Sequence, residues 1–122
     1  MPPQTKVLVV DDHPWILRTL RSLLTQQHWQ VFEAENGKAA LEIIQQVNPD
    51  VVVLDILMPE MNGLETACEI RRLVPVPKLI LMSSVYTSEE AALFARLYGD
   101  GRFIPKTEIG KELIPAIISL LS

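Results

Sequence analysis

The sequence predicts one α/β domain in which a parallel five-stranded sheet carries helices on both faces. Five apolar runs alternate with five segments whose apolar residues recur at helical spacing, over a chain of 122 residues. Such strict alternation is typical of a parallel sheet, and right-handed crossovers then give a doubly wound architecture. Three of the runs are continuously apolar, as expected for strands that helices cover on both sides. We therefore expect a single domain over residues 1–122, with its core at about 6–121.

The strand candidates are short runs rich in β-branched residues, a composition that favours extended backbone. In chain order they are Val7–Val10, Val31–Phe32, Val51–Leu54, Leu79–Met82 and Phe103–Ile104. A helical stripe lies between each pair of neighbours, which completes the alternation behind the fold prediction.

Local signals mark the ends of the first three helices. Pro14 fits the first position of the first helix, where a backbone N–H has no helical partner to lose. The stripe of the second helix ends at Val47 and is stopped by Asn48–Asp50, which contains a proline. The third stripe runs from Leu64 to Val74 and should stop at Pro75.

The fourth and fifth helices have less regular signals. Thr87–Glu90 indicates a capping box at the start of the fourth helix. Pro115 lies about one turn into the fifth helix and predicts a kink or a late start, because its ring clashes with the preceding turn. The fifth helix also has more apolar residues than one buried stripe needs, so we expect some of them to be exposed. They are Ile109, Leu113, Ile114, Ile117, Ile118, Leu120 and Leu121.

Composition argues against several classes of protein. The net charge of −4 and the pI near 5.1 argue against direct nucleic-acid binding, which usually needs a basic surface. No apolar run approaches the ~20 residues that span a bilayer, and we expect no signal peptide at the start of the chain. Cys68 is the single cysteine, which fits a reducing, cytoplasmic setting better than a disulfide scaffold. We expect a small acidic cytoplasmic domain that does not associate with membranes.

Chemically distinctive side chains follow four of the strand candidates. They are Asp11 and Asp12 after the first, Asp55 after the third, Ser83 and Ser84 after the fourth, and Lys106 after the fifth. In doubly wound sheets the carboxyl ends of the strands meet at one edge, and ligands bind there. We therefore expect these side chains to converge.

Three carboxylates in one cleft repel one another unless a cation neutralises them. Hard oxygen ligands suit Mg²⁺, which takes only one or two protein carboxylates and keeps several waters. One aspartate can then remain a nucleophile and form an acyl-phosphate. Lys106 and Ser83 are suited to holding the phosphoryl oxygens as charge develops.

The segment Asp55–Gly63, Asp-Ile-Leu-Met-Pro-Glu-Met-Asn-Gly, resembles the phosphoacceptor loop of bacterial response-regulator receiver domains. Asp11-Asp12, Ser83-Ser84 and Ile104–Lys106 fall where that family keeps its acidic pair, its Thr or Ser, and its Lys. The resemblance covers Lys6 to about Leu121. It implies the flavodoxin-like strand order 2-1-3-4-5 and a role in two-component signalling.

By this resemblance Asp55 is the phosphorylation site and receives its phosphoryl group from a histidine kinase or phosphotransfer protein. Asp12, Asp55 and the backbone carbonyl of Leu57 would bind Mg²⁺, and Asp11 would contribute directly or through water. Lys106 would contact the phosphoryl group. The protein would assist its own modification without turning over a separate substrate.

The resemblance also implies a switch. Ser83 would move to the phosphoryl group, and Phe103 matches the switch aromatic three residues before Lys106. The face formed by the fourth helix, fifth strand and fifth helix would then bind a target or a second copy of the chain. The length leaves room for one receiver and no output domain, so we expect the output on another chain or on a missing segment.

The residues argue against two alternative functions and are compatible with a third. A phosphatase with Asp55 as nucleophile commonly has a second Asp two residues later, where this chain has Leu57. A nucleotide-binding domain needs a small-residue phosphate cradle after the first strand, where this chain has its acidic pair. A receiver-like interaction module that works without phosphorylation remains the alternative.

Three further residues near these motifs are expected to have structural rather than chemical roles. His13 follows the acidic pair, but imidazole is not the preferred partner of Mg²⁺, so we expect a structural or exposed side chain. Trp15 should be half-buried at the start of the first helix, where its fluorescence can report on the site. Asp100 replaces a small residue common in the family, which predicts a locally altered turn.

Overall fold

The computed structural model describes residues 4–56, 63–84, 88–98, 100 and 102–122. Within these residues five strands and five α-helices alternate along the chain, as the sequence predicts. The strands are Lys6–Val10 (β1), Gln30–Ala34 (β2), Val51–Asp55 (β3), Lys78–Ser83 (β4) and Phe103–Pro105 (β5). The helices are Pro14–Thr25 (α1), Gly37–Val47 (α2), Gly63–Arg71 (α3), Ser88–Tyr98 (α4) and Ile109–Leu121 (α5). A single 3₁₀ turn, Lys106–Glu108, joins β5 to α5.

The strands form one parallel sheet in the order β2-β1-β3-β4-β5, which confirms the doubly wound architecture. Val10 pairs with Leu54 across β1 and β3, and Asp55 pairs with Met82 across β3 and β4. Ser83 pairs in turn with Pro105 of β5. Because these pairs lie at the carboxyl ends of their strands, the residues that follow them share one edge of the sheet.

Two apolar layers enclose the sheet. Alternate residues of β1 point to opposite faces, so Val7 and Val9 pack with α1 and α5, whereas Leu8 and Val10 pack with α2 and α3. All residues of β3 are buried, as expected for a central strand covered on both sides. The core therefore fixes the central strands whose ends carry the acidic residues.

The structure confirms two of the predicted helix ends. α1 begins at Pro14, and α2 ends at Val47, directly before Asn48 in the left-handed conformation (φ 49°). Asn36 also caps α2, because its side chain accepts a hydrogen bond from the Ala39 N–H (2.8 Å). The predicted capping box at Thr87–Glu90 includes residues outside the described part of the chain.

The predicted end of α3 is wrong. The helix stops at Arg71, and Val74, which we assigned to its apolar stripe, is 95% exposed. The N–H of Leu73 donates to the carbonyl of Ile70 (3.0 Å), an i to i−3 bond that closes the last turn. Pro75 follows in a cis peptide bond with Val74. The turn, rather than the proline, ends this helix.

The late start predicted for α5 is also wrong, because the helix runs without interruption from Ile109 through Pro115. Pro115 lies on the exposed side, where water can satisfy the carbonyl of Lys111 that lacks its helical partner. The predicted excess of apolar surface is confirmed, since Ile118 and Leu121 are exposed.

Asp100, at which we predicted a locally altered turn, lies in a turn and has a left-handed backbone with φ 51°. Its carboxylate accepts hydrogen bonds from the backbone N–H of Leu79 (2.8 Å) and from Arg71 (3.1 Å). Asp100 thus connects the start of β4 to the end of α3.

Among the described residues, no helix has the length and hydrophobicity needed to cross a bilayer.

Candidate functional site

The three predicted carboxylates meet at the carboxyl edge of the sheet. Asp11 directly follows β1, and its backbone N–H donates to the carbonyl of Ala34 (3.1 Å), which extends the ladder by one residue. Asp55 is the last residue of β3, and both Asp11 and Asp55 are buried. One donor atom from each of Asp11, Asp12, His13 and Asp55 lies within 4.8 Å of the others. The sequence prediction that these carboxylates converge is confirmed.

Lys106 supplies a cation to this cluster. Its Nζ lies 2.8 Å from Asp11 Oδ2 and donates a hydrogen bond to Asp55 Oδ2 (3.2 Å). The side chain is only 14% exposed, and Lys106 is the first residue of the 3₁₀ turn that follows β5. Lys106 therefore bridges residues at the ends of β1 and β3.

The charged form of Lys106 is stabilised by this arrangement. Burial alone disfavours an ammonium and would lower its pKa. The hydrogen bond to Asp11 and the negative charges of Asp55 and Asp11 outweigh that cost, so the pKa of Lys106 lies above its ordinary value of 10.5. Lys106 is thus a fixed positive charge beside Asp55 at neutral pH.

His13 contacts both members of the acidic pair, which the sequence did not predict. Its Nδ1 lies 3.1 Å from Asp11 Oδ1 and 3.1 Å from Asp12 Oδ1. Its backbone N–H also donates to Asp11 Oδ1 (2.9 Å). The side chain is 53% exposed, as expected, but it is part of the site. The position of His13 directly after the acidic pair was the feature of the sequence that could have indicated these contacts.

Trp15 is more exposed than predicted, with 59% of its surface accessible. Its indole packs edge-on against the His13 imidazole, with ring centroids 6.0 Å apart. Because α1 begins at Pro14, both aromatic rings lie at the helix N-terminus, next to the carboxylates. Trp15 remains a suitable fluorescent reporter for the site.

The remaining predicted residues differ in how far the structure describes them. Ser83 is buried at the end of β4 beside Asp55's strand, whereas Ser84 is exposed. Phe103 begins β5 and packs, partly buried, against the apolar layer that α2 and α3 cover. Leu57, whose carbonyl was predicted to bind metal, lies outside the described residues.

Gly63 is a positioning residue that the sequence analysis assigned only to the loop motif. Its N–H donates to the carbonyl of Ile56 (3.2 Å), and α3 begins there against the end of β3. A Cβ at this position would overlap the backbone of Asp55 and Ile56. The close approach requires glycine and holds the strand end that carries the central carboxylate.

The sequence model of one protein family, the response regulator receiver domain, matches residues 7–118 of this chain. The chain belongs to this family. Receiver domains bind Mg²⁺ at an acidic pocket and interact with histidine kinases and output domains. This receiver domain has an acidic cluster, formed by Asp11, Asp12 and Asp55, at the carboxyl edge of its sheet.

Several relatives resemble this receiver domain over most of its length. A protein-glutamate methylesterase/protein-glutamine glutaminase from Alkalilimnicola ehrlichii is 39% identical over 84% of this chain. The chain spans 27% to 30% of the length of this and three similar methylesterases. The chemotaxis protein CheY from Thermotoga maritima is 38% identical, and the match covers 66% of this chain and 68% of that protein.

A solved structure agrees in fold over nearly the whole chain. It is the response regulator TrrA from Thermotoga maritima in complex with Mg²⁺-BeF, which is 34% identical with a TM-score of 0.84. The match covers 96% of this chain and 99% of that one.

Proposed function

We propose that this receiver domain accepts a phosphoryl group on Asp55 from the phosphohistidine of a histidine kinase or phosphotransfer protein. The observation that carries this proposal is the convergence of three carboxylates and one lysine at the ends of β1, β3 and β5. Asp55 is central in this arrangement, since β3 lies between β1 and β4. We place the reaction in the cytoplasm, in agreement with the single cysteine, Cys68.

The donor set fits Mg²⁺. Oδ1 of Asp12 is buried and receives no hydrogen bond of good geometry from the described residues. Three carboxylates against one ammonium leave two formal negative charges, which a divalent cation balances. The Mg²⁺-BeF complex of TrrA, at 34% identity, supports the same assignment.

Asp12 and Asp55 would hold the ion, together with the backbone carbonyl of Leu57. Both oxygens of Asp11 already have close neighbours, His13 at Oδ1 and Lys106 at Oδ2, so Asp11 would act mainly through water. When bound, Mg²⁺ neutralises charge on the phosphoryl oxygens.

The transfer itself needs little from the protein beyond positioning. A carboxylate oxygen of Asp55 attacks phosphorus, an oxygen–phosphorus bond forms, and the phosphorus–nitrogen bond to the donor histidine breaks. The leaving nitrogen keeps the electron pair and takes a proton from solvent. The Lys106 ammonium, 3.2 Å from Asp55 Oδ2, is placed to stabilise charge on the transferred group. No separate substrate is turned over.

The acyl-phosphate carries a charge of about −2 where the free carboxylate carried −1, and this change at the sheet edge biases a two-state switch. Ser83 would approach the phosphoryl group, and Phe103 would change its packing. Exposed apolar residues lie on the helices that flank β5: Leu93, Leu97, Ile118 and Leu121. This face would bind a target or a second copy, with the output on another chain or on a segment beyond this one.

Phosphorylation is tested with a small phosphodonor and Mg²⁺, read by intact-protein mass spectrometry. We expect one phosphate on the wild type and none on Asp55→Asn. Asp50→Asn is the matched control, because Asp50 is exposed and directly precedes the first residue of β3, at the opposite end of the strand from Asp55. Phosphate on the Asp55 variant would contradict the assignment. Mg²⁺ binding without any phosphate on the wild type would favour the interaction module that works without phosphorylation.

A further inference from the structure

One imidazole nitrogen lies between the two members of the acidic pair. His13 Nδ1 is 3.1 Å from Asp11 Oδ1 and 3.1 Å from Asp12 Oδ1, and Asp12 Oδ1 is buried. Donor atoms of these three residues and of Asp55 lie within 4.8 Å of one another. The site therefore offers a nitrogen donor in addition to its carboxylate oxygens.

The backbone at the start of α1 places the His13 side chain beside the acidic pair. His13 is the residue before the helix and has an extended conformation (φ −98°, ψ 113°). Its N–H is held by Asp11 Oδ1 (2.9 Å), and Trp15 packs against the edge of its ring. Half of the side chain is exposed, so an ion can approach it from solvent.

We propose that His13 Nδ1 is an additional ligand for first-row transition cations such as Ni²⁺ and Co²⁺ at this site. The proposal rests on the cation site of the proposed function and extends it to a second class of ion. Two neighbouring ligands of a six-coordinate ion, each about 2.1 Å from the metal, lie about 3.0 Å apart. The 3.1 Å between His13 Nδ1 and Asp12 Oδ1 matches that separation.

Ligand chemistry explains why the two classes of ion should differ. Imidazole suits nickel, cobalt and zinc, whereas Mg²⁺ prefers oxygen ligands and retains its waters. Ligation by Nδ1 needs the neutral tautomer with the proton on the other ring nitrogen. His13 then leaves its contact with Asp11 and binds the ion beside Asp12. Mg²⁺ would bind through oxygen alone, with His13 remaining against Asp11.

The test compares Ni²⁺ and Mg²⁺ dissociation constants by calorimetry, for the wild type, His13→Ala and His13→Asn. We expect Ni²⁺ affinity to fall in both variants by 10- to 100-fold, on the order of losses seen when metal-supporting groups are removed. Mg²⁺ affinity should hardly change. His28→Asn is the matched control, because His28 is the other histidine and is exposed. It should retain the wild-type affinity for both ions.

Co²⁺ spectroscopy provides a second readout that does not depend on affinity. Loss of a nitrogen ligand should shift the visible absorption of bound Co²⁺ in His13→Asn and leave it unchanged in His28→Asn. An equal loss of Ni²⁺ and Mg²⁺ affinity, or an unchanged Co²⁺ spectrum, would show that His13 only hydrogen-bonds the carboxylates and would overturn the inference. Ni²⁺ binding through His13 without Mg²⁺ binding would support it and overturn the Mg²⁺ part of the proposed function.

Discussion

Lys106 Nζ lies 2.8 Å from Asp11 Oδ2, closer than the 3.2 Å that separates it from Asp55 Oδ2. The ammonium therefore contacts two buried carboxylates, one at the end of β1 and one at the end of β3. Both contacts join residues that are far apart in the sequence, and together they connect the turn after β5 to the ends of β1 and β3. Stability and site geometry consequently depend on the same lysine.

Replacing Lys106 by Met should destabilise the protein in the absence of metal. The change removes the described cation nearest to Asp11 and Asp55 and leaves their charges uncompensated. We expect the free energy of unfolding to fall by about 2 kcal/mol, somewhat below the cost for a fully buried pair. Urea unfolding with a chelator measures this, and Lys111→Met, at an exposed position of α5, is the control. Equal effects of the two substitutions would contradict the prediction.

Replacing Asp12 by Asn should have the opposite effect on stability while weakening metal binding. Asp12 is part of a cluster of like charges, so its neutralisation should raise the free energy of unfolding without metal by about 1 kcal/mol. Saturating Mg²⁺ should stabilise the wild type by about 2.7 kcal/mol at one hundred times Kd. It should stabilise the variant much less.

Thermal unfolding with and without Mg²⁺ measures both effects of the Asp12 substitution. Glu112→Gln removes an exposed carboxylate on α5 and should keep the full response to Mg²⁺. The prediction fails if Asp12→Asn is stabilised by Mg²⁺ as strongly as this control.

The sequence predicted the order of elements and the edge at which the site lies, because both follow from alternation and strand ends. It did not predict the contacts of His13, since spacing alone does not give the direction of a side chain at a helix start. The early end of α3 depends on the turn after Arg71, and α5 tolerates Pro115 because that residue faces solvent. Trp15 is exposed because its ring packs on His13 rather than on the core. These features depend on tertiary geometry.

Ser83 and Ser84 offer a direct comparison within the proposed switch. Ser83 is buried at the end of β4, next to β3, and Ser84 is exposed. With Mg²⁺ and beryllofluoride, hydrogen exchange in the peptide containing Phe103 should change in the wild type and in Ser84→Ala. Ser83→Ala should show a clearly smaller change, because it lacks the hydroxyl that would connect the phosphoryl group to β4 and β5. The reverse order of effects would assign the switch to Ser84.

Asp100 should stabilise the start of β4 through its carboxylate. One oxygen accepts the Leu79 N–H (2.8 Å) and the other contacts Arg71 (3.1 Å). Asp100→Ala should lower the free energy of unfolding by about 2 kcal/mol, because a backbone donor loses a charged acceptor and Ala is strained at φ 51°. Arg71→Ala should cost only about 0.5 kcal/mol, as expected for a partly exposed ion pair. Denaturant titration of both variants tests the difference, and a larger loss for Arg71→Ala would contradict it.

Gly63 and Gly110 should respond in opposite ways to the same substitution. A methyl group at Gly63 would overlap the backbone of Asp55 and Ile56, so α3 must move away from the end of β3. We expect Gly63→Ala to lower the free energy of unfolding by about 3 kcal/mol, as for overpacked sites, and to weaken Mg²⁺ binding by displacing Asp55.

Gly110 lies in α5, where nothing is within 4 Å of an added Cβ. Gly110→Ala should therefore stabilise the protein by about 0.5–1 kcal/mol, the usual helix-propensity gain. Chemical unfolding and Mg²⁺ titration of the two variants measure both effects, and a Gly63→Ala protein with wild-type Mg²⁺ affinity would show that this glycine does not position Asp55.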